Sequence, residues 1–247
     1  MTLPPVNFQP PSLLYAGIML TAIVVGAVLL KFSQTKLELR WWEKIGLGLG
    51  AFCGGMIGAK LPFALGDWEG LRSGTVWFAD GKTIMCGLIG AYFGVELAKW
   101  VLEIRIKTGD SFAVPAAVAI AIGRLACFVG GCCFGKPTTM PWGVSFPHVD
   151  GLRHPTQLYE SAFHFTAAII LWDLKRRGLF RGQLFKLYMI TYFIFRFLTE
   201  FLRPEAPLWL GLTGYQWAAL WLVPVFAGMW WWSVREMDVA SESAASS

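Results

Sequence analysis

In a chain of 247 residues, 55% are hydrophobic and only 15% are charged, with 13 Trp and 19 Phe. A soluble domain carries about a quarter of its residues charged, so this composition excludes an ordinary soluble fold and points to one membrane-embedded domain. The net charge of +5 is modest and gathers in alternate loops, which fits membrane topology and argues against a nucleic-acid partner.

A helix needs about 20 largely apolar residues to cross a hydrocarbon core roughly 30 Å thick. About seven stretches qualify, near 13–31, 45–65, 83–103, 111–134, 158–174, 184–202 and 213–234. Lipid offers no partner for backbone polar groups, so these runs are expected to be helices of an all-α polytopic membrane protein. The first run has no basic segment before it and no small-residue cleavage site after it, so it reads as a span rather than a signal peptide. Residues 1–12 contain no Lys or Arg. The first loop carries Lys36, Arg40 and Lys44, the third Arg105 and Lys107, and the fifth Lys175, Arg176, Arg177 and Arg181. The second, fourth and sixth are poorer, with Arg72 and Lys82, then Lys136 and Arg153, then Arg203. Positive charge stays on the cytoplasmic side, which predicts an outside N-terminus and a cytoplasmic C-terminus. A single transmembrane domain is expected over 1–239, followed by a small, polar, disordered tail at 240–247.

Ionisable groups at membrane depth cost several kcal/mol unless paired or hydrated, so each is a functional candidate. Arg124 stands mid-span, and on a continuous helix Cys127 and Gly131 share its face. Gly123, Gly130, Gly131 and Gly135 either admit a neighbouring helix or free backbone N–H groups for a ligand. Arg196, Glu200 and Arg203 recur at helical spacing toward the outer boundary. They are either an i,i+4 ion pair with an interfacial cation or, with Arg124, a forked-donor site for a phosphodiester. Gln157, Glu160 and His164 line one face of the fifth span, where Glu160 neutralises an arginine or orients His164. A buried, hydrogen-bonded His164 is a commoner arrangement than a catalytic base. Lys60 and Asp67 sit near the outer end of the second span, and Glu96 and Lys99 toward the inner end of the third.

Cys53 and Cys86 lie in apolar runs and read as core residues. Cys127, Cys132 and Cys133 gather near Arg124. Adjacent cysteines diverge on a helix, and their spacing matches no zinc template, so no metal is expected there. They either fill space or, with a pKa lowered by Arg124, supply a nucleophile, Cys132 foremost.

Four stretches, in this order, carry a family resemblance: GRLACFVGGCCFGKPTTMPWGVSFP, RHPTQLYE, IFRFLTEFLRPE and GLTGYQW. Together they resemble the bacterial prolipoprotein diacylglyceryl transferases over most of the C-terminal half. YAG at 15–17, with Tyr15, resembles that family's early Tyr-Gly motif, and CGLIG at 86–90 its Gly-rich third-span motif. The resemblance implies a multi-pass protein of the bacterial inner membrane. It implies a reaction at the outer face that moves a diacylglyceryl group from phosphatidylglycerol to the thiol of an exported prolipoprotein and releases glycerol phosphate. No metal or organic cofactor is implied. By motif, Arg124 matches the family's essential signature arginine, and Arg196 and Glu200 its sixth-span pair. Tyr159 and Glu160 fall in its Gln-Leu-Tyr-Glu motif, and Gln216 in its late Gly-Gln motif.

The chain also departs from the family pattern. Ala126–Phe128 carries Cys127 where Gly-Asn-Phe is usual, 130–132 carries Cys132 where Asn-Gly-Glu is usual, and Met85 stands where a histidine is expected. The catalytic candidates are therefore Arg124, Arg196, Glu200, Glu160 and Cys132. Tyr15, Cys127, Gly131, Tyr159, His164, Arg203 and Gln216 are the candidates for substrate contact. The acceptor is a lipoprotein cysteine, another exported thiol, or a small molecule. Two other readings use the same residues: a Cys-dependent acyl or thiol transferase, and a lipid or solute transporter with an intramembrane arginine site.

Overall fold

The computed structural model describes residues 12–35, 37–77, 81, 83–147 and 149–245, with side chains as far as residue 235. The charge-poor segment 1–11, Lys36, Lys82 and His148 lie outside the described residues. The helices are α1 (Leu13–Ser33), α2 (Trp41–Gly66), α3 (Trp68–Ser73), α4 (Ile84–Val101), α5 (Gly109–Val129), α6 (Thr156–Arg176), α7 (Leu184–Thr199) and α8 (Gly214–Ala245). A hairpin of β1 (Val144–Phe146) and β2 (Val149–Arg153) joins α5 to α6, and a 3-10 turn, Glu200–Leu202, closes α7.

α1, α2, α4, α5 and α8 (as Gly214–Arg235) are long and apolar enough to cross a membrane. α6 and α7, counted with them from the sequence, fall outside that set. α7 has only 16 residues, and α6 carries Glu160, His164 and Asp173. The reason is where their side chains go. Tyr188, Tyr192 and Phe193 of α7 are wholly enclosed, as are His164 and Gln157 of α6. A helix that turns a polar face to its neighbours need not be apolar all round. α8 also continues as helix through Ala245, so residues 240–245 extend it where the sequence pointed to a disordered tail.

Where the sequence reads as one domain, the chain divides into two compact units, Gln34–Gly109 and Met1–Ser33 with Asp110–Ser247. In the first, α2 and α4 run antiparallel with their backbones in contact. Gly50 faces Gly94, Gly54 faces Gly90, and Gly58 faces the Cys86 carbonyl. A Cβ at Gly54 or Gly90 would collide with the other's carbonyl oxygen, so only glycine permits this approach. Thr83 caps α4 through the Cys86 amide, and Asp67 caps α3 through that of Gly70. Lys60 is buried rather than interfacial and donates to the Val76 carbonyl.

In the larger unit, Gly26 of α1 abuts Ala119 of α5. Ser161 of α6 donates to the Ala121 carbonyl of α5 at 2.9 Å, and His164 Nδ1 lies 2.8 Å from the Tyr188 hydroxyl of α7. Buried Lys186 of α7 donates to Ser233 of α8 at 2.6 Å. Asp110 opens α5 and accepts from the Gly182 and Leu184 amides, fixing the start of α7. These ties align the polar faces of α5, α6 and α7.

Candidate active site

The alignment brings three arginines around one carboxylate. Glu160 of α6 is 2% exposed. Its Oε2 lies 2.5 Å from Arg124 Nε of α5, and its Oε1 accepts from Arg196 Nη1 of α7 at 3.0 Å. Arg203 Nη2 approaches the same Oε1 at 4.0 Å. Glu200 adds a second carboxylate, 2.7 Å from Arg196 Nη2. The Arg196 guanidinium also lies over the Tyr215 ring, 4.6 Å from its centroid. All five charged groups are buried. Three cations stand against two carboxylates, which leaves one positive charge uncompensated within the group.

The donors are not all used. Arg124 Nη2 and Arg203 Nε are buried and have no hydrogen-bond partner among the described residues. Buried donors without acceptors are costly, and two on separate guanidiniums beside a surplus positive charge suit an anion with several oxygens.

Expected residues converge here in different ways. Arg124, Arg196, Glu200, Glu160 and Arg203 form the ionic cluster. Gln216 stands behind it: its Oε1 accepts from the Thr213 backbone N–H at 2.9 Å, and its own backbone N–H donates to Thr213 Oγ1 at 3.4 Å. That reciprocal pair is a capping box at the start of α8, and Thr213 in turn donates to Glu200 Oε1 at 2.9 Å. His164 is fully enclosed between Phe163 and Tyr192 and bonded to Tyr188, one helical turn beyond Glu160. Tyr159 faces the hairpin instead, where its hydroxyl accepts from Trp142 Nε1 at 2.8 Å and lies 3.2 Å from His154 Nδ1. Tyr15 rests its ring against Gly130, where a Cβ would come within 3.0 Å of it.

The cysteines depart from expectation. α5 ends at Val129, so Gly131 and Cys132 do not continue the Arg124 face. Gly131 (φ 64°) and Cys133 (φ 59°) turn the chain back, and the Cys127, Cys132 and Cys133 sulfurs all lie within 4.8 Å of one another. Cys127 Sγ is 3.8 Å from Arg124 Nη1. The Cys133 thiol is held well below the ordinary range, first by hydrogen bonds from Cys127 and Cys132 and then by Arg124 and Arg203.

The sequence pattern of the prolipoprotein diacylglyceryl transferase family matches residues 6–232. The chain belongs to that family. A relative from Cupriavidus metallidurans is 33% identical over 237 residues, 87% of this chain and 86% of its own. One from Clostridium tetani is 30% identical over 203 residues, 77% and 80% of the two chains. One from Methylobacillus flagellatus reaches 39% over 152 residues, 57% and 58% of the two. Each is named a phosphatidylglycerol–prolipoprotein diacylglyceryl transferase.

Within this family member, sequence reasoning missed the residues that hold the site in shape. Thr156 Oγ1 donates to the Cys133 carbonyl at 2.7 Å, and Gln157 Nε2 donates to that of Cys132. Thr213 and Tyr215 hold Glu200 and Arg196. The Thr-x-x-Gln spacing of 213–216 is a capping-box signature, which was legible. The contacts of Thr156 and Tyr215 are long-range and leave no periodic trace. Met85 is buried within the smaller unit, consistent with an apolar packing role.

Proposed function

We propose that this protein transfers the diacylglyceryl group of phosphatidylglycerol to the thiol of an exported prolipoprotein at the outer face of a bacterial inner membrane. The observation that carries this reading is the pair of unused, buried guanidinium donors on Arg124 and Arg203 beside the surplus positive charge of the cluster. The donor lipid has one phosphodiester, and planar N–H donors match its oxygens. Arg196, committed to Glu160 and Glu200, contributes charge from a fixed position.

In the transfer, the acceptor sulfur bonds to the terminal glyceryl carbon as that carbon's bond to the phosphate oxygen breaks. The bonding electron pair leaves with glycerol phosphate, and the thiol proton is given up. Charge therefore grows on the phosphate oxygens, where Arg124 and Arg203 hydrogen-bond and Arg196 adds its field. Glu160 and Glu200 keep the guanidiniums apart and aimed, and the capping box at Thr213 and Gln216 fixes Glu200. Tyr15, whose ring rests against Gly130, and Gly131 are the remaining candidates for substrate contact, since His164 is enclosed and Tyr159 is engaged at the hairpin. In this reading α6 and α7 complete seven spans, the hairpin lies outside and the C-terminus is cytoplasmic.

The test is incubation of the purified protein with phosphatidylglycerol and a lipobox-cysteine peptide, read by mass spectrometry. The expected products are the thioether-linked diacylglyceryl peptide and free glycerol phosphate. Arg124→Ala and Arg196→Ala abolish both, and Lys at either position does not restore them, since a point charge lacks the forked donors. Transfer at the wild-type rate by both alanine variants overturns the phosphate-site reading.

A further inference from the structure

Three thiols meet where α5 ends, and neither the ionic cluster nor the proposed transfer uses them. Cys127 sits in the last turn of α5, while Cys132 and Cys133 lie in the turn that follows. Cys133 adopts φ 59°, a conformation that a non-glycine residue keeps only when its surroundings impose it. Here they do. Gln157 holds the Cys132 carbonyl, and Thr156 and Arg203 hold that of Cys133. The outcome of that strain is the convergence of the three sulfurs to within 4.8 Å.

We propose that Cys127, Cys132 and Cys133 form a three-thiolate site for one soft, monovalent cation of the copper(I) class. Metal–sulfur bonds of about 2.3 Å in a trigonal plane set the sulfurs about 4.0 Å apart, so the cluster closes on an ion by a shift of less than about 1 Å. Cys132 and Cys133 are exposed, which gives the ion a way in, while Cys127 is anchored in the helix. An all-sulfur donor set selects soft ions over oxygen-seeking ones. No His, Asp or Glu joins the three sulfurs among the described residues, so the group offers a three-coordinate ion its full complement and leaves zinc one ligand short. The sulfurs bind the ion as thiolates, any thiol still protonated giving its proton to solvent, and no electron is transferred. The excess negative charge of the filled site falls beside Arg124, whose Nη1 is 3.8 Å from Cys127 Sγ, and Arg203, bonded to the Cys133 carbonyl.

The experiment titrates the reduced, purified full-length protein with Cu(I), without oxygen, against a chromophoric Cu(I) chelator. One Cu(I) per chain is expected, and Cys53→Ser/Cys86→Ser retains it. Outer-shell partners of a metal are worth about 10–100-fold in affinity, so losing ligands in Cys127→Ser/Cys133→Ser should cost at least about 100-fold. Cys132→Ser, at an exposed loop position, is the second variant should that pair fail to fold, and it is expected to weaken binding at least about tenfold. No Cu(I) held against the chelator, equal uptake by the folded cysteine-cluster variants, or uptake lost with Cys53 and Cys86 overturns the proposal. Uptake is read without turnover, so the result is independent of the transferase reading.

Discussion

Glu160→Gln is almost isosteric, yet it removes the one charge that two arginines touch and a third approaches. In the native cluster three cations face two carboxylates; in the variant three face Glu200 alone, so the uncompensated charge rises from one to two. A unit-charge pair about 4 Å apart is worth roughly 4 kcal/mol at an effective dielectric near 20. Removing one partner of a buried pair costs about 3–5 kcal/mol, because the other charge stays buried without compensation. For a chain of this size each kcal/mol moves the melting temperature by about 2–4 °C, which predicts a fall of roughly 6–20 °C. The assay is thermal unfolding in detergent micelles followed by tryptophan fluorescence. Glu160→Gln/Arg124→Gln returns the surplus to one charge, so it should be less destabilised than the sum of the single variants by about 1–3 kcal/mol. A Glu160→Gln protein that melts within about 2 °C of the parent refutes the hub role, as does strict additivity in the double variant.

Two further outcomes are expected. In a background free of native cysteines, Arg153→Cys should react with an impermeant maleimide in intact cells and Arg176→Cys only after permeabilisation; labelling of the second in intact cells reverses the orientation. Gly90→Ala drives a Cβ into the Gly54 carbonyl and should cost about 1–3 kcal/mol in melting experiments. Gly48→Ala, which meets nothing within 4 Å, should be neutral or gain up to about 1 kcal/mol; equal effects at the two sites would show that α2 and α4 do not pack this closely.

The membrane class, the helical runs and the candidacy of the buried charges Arg124, Arg196, Glu200 and Glu160 were readable from sequence, because lipid penalises charge so heavily that each survivor declares itself. Motif order carried the family assignment for the same chain. Helical spacing also foretold the Arg196–Glu200 pair, a contact between residues one turn apart. Periodicity could not show which carboxylate serves which arginine. That Glu160 serves Arg124 and Arg196 together depends on α6 lying against both α5 and α7 through Ser161 and His164. Extending helical periodicity past Val129 placed Gly131 on the Arg124 face and sent Cys132 and Cys133 apart. Two positive-φ residues, Gly131 and Cys133, the second pinned by donors 23 and 70 positions away, fold them together instead. The sequence by itself determined which groups are too costly to bury alone. The tertiary structure decided which of them share that cost, because backbone reversal and helix packing join residues that no local period relates.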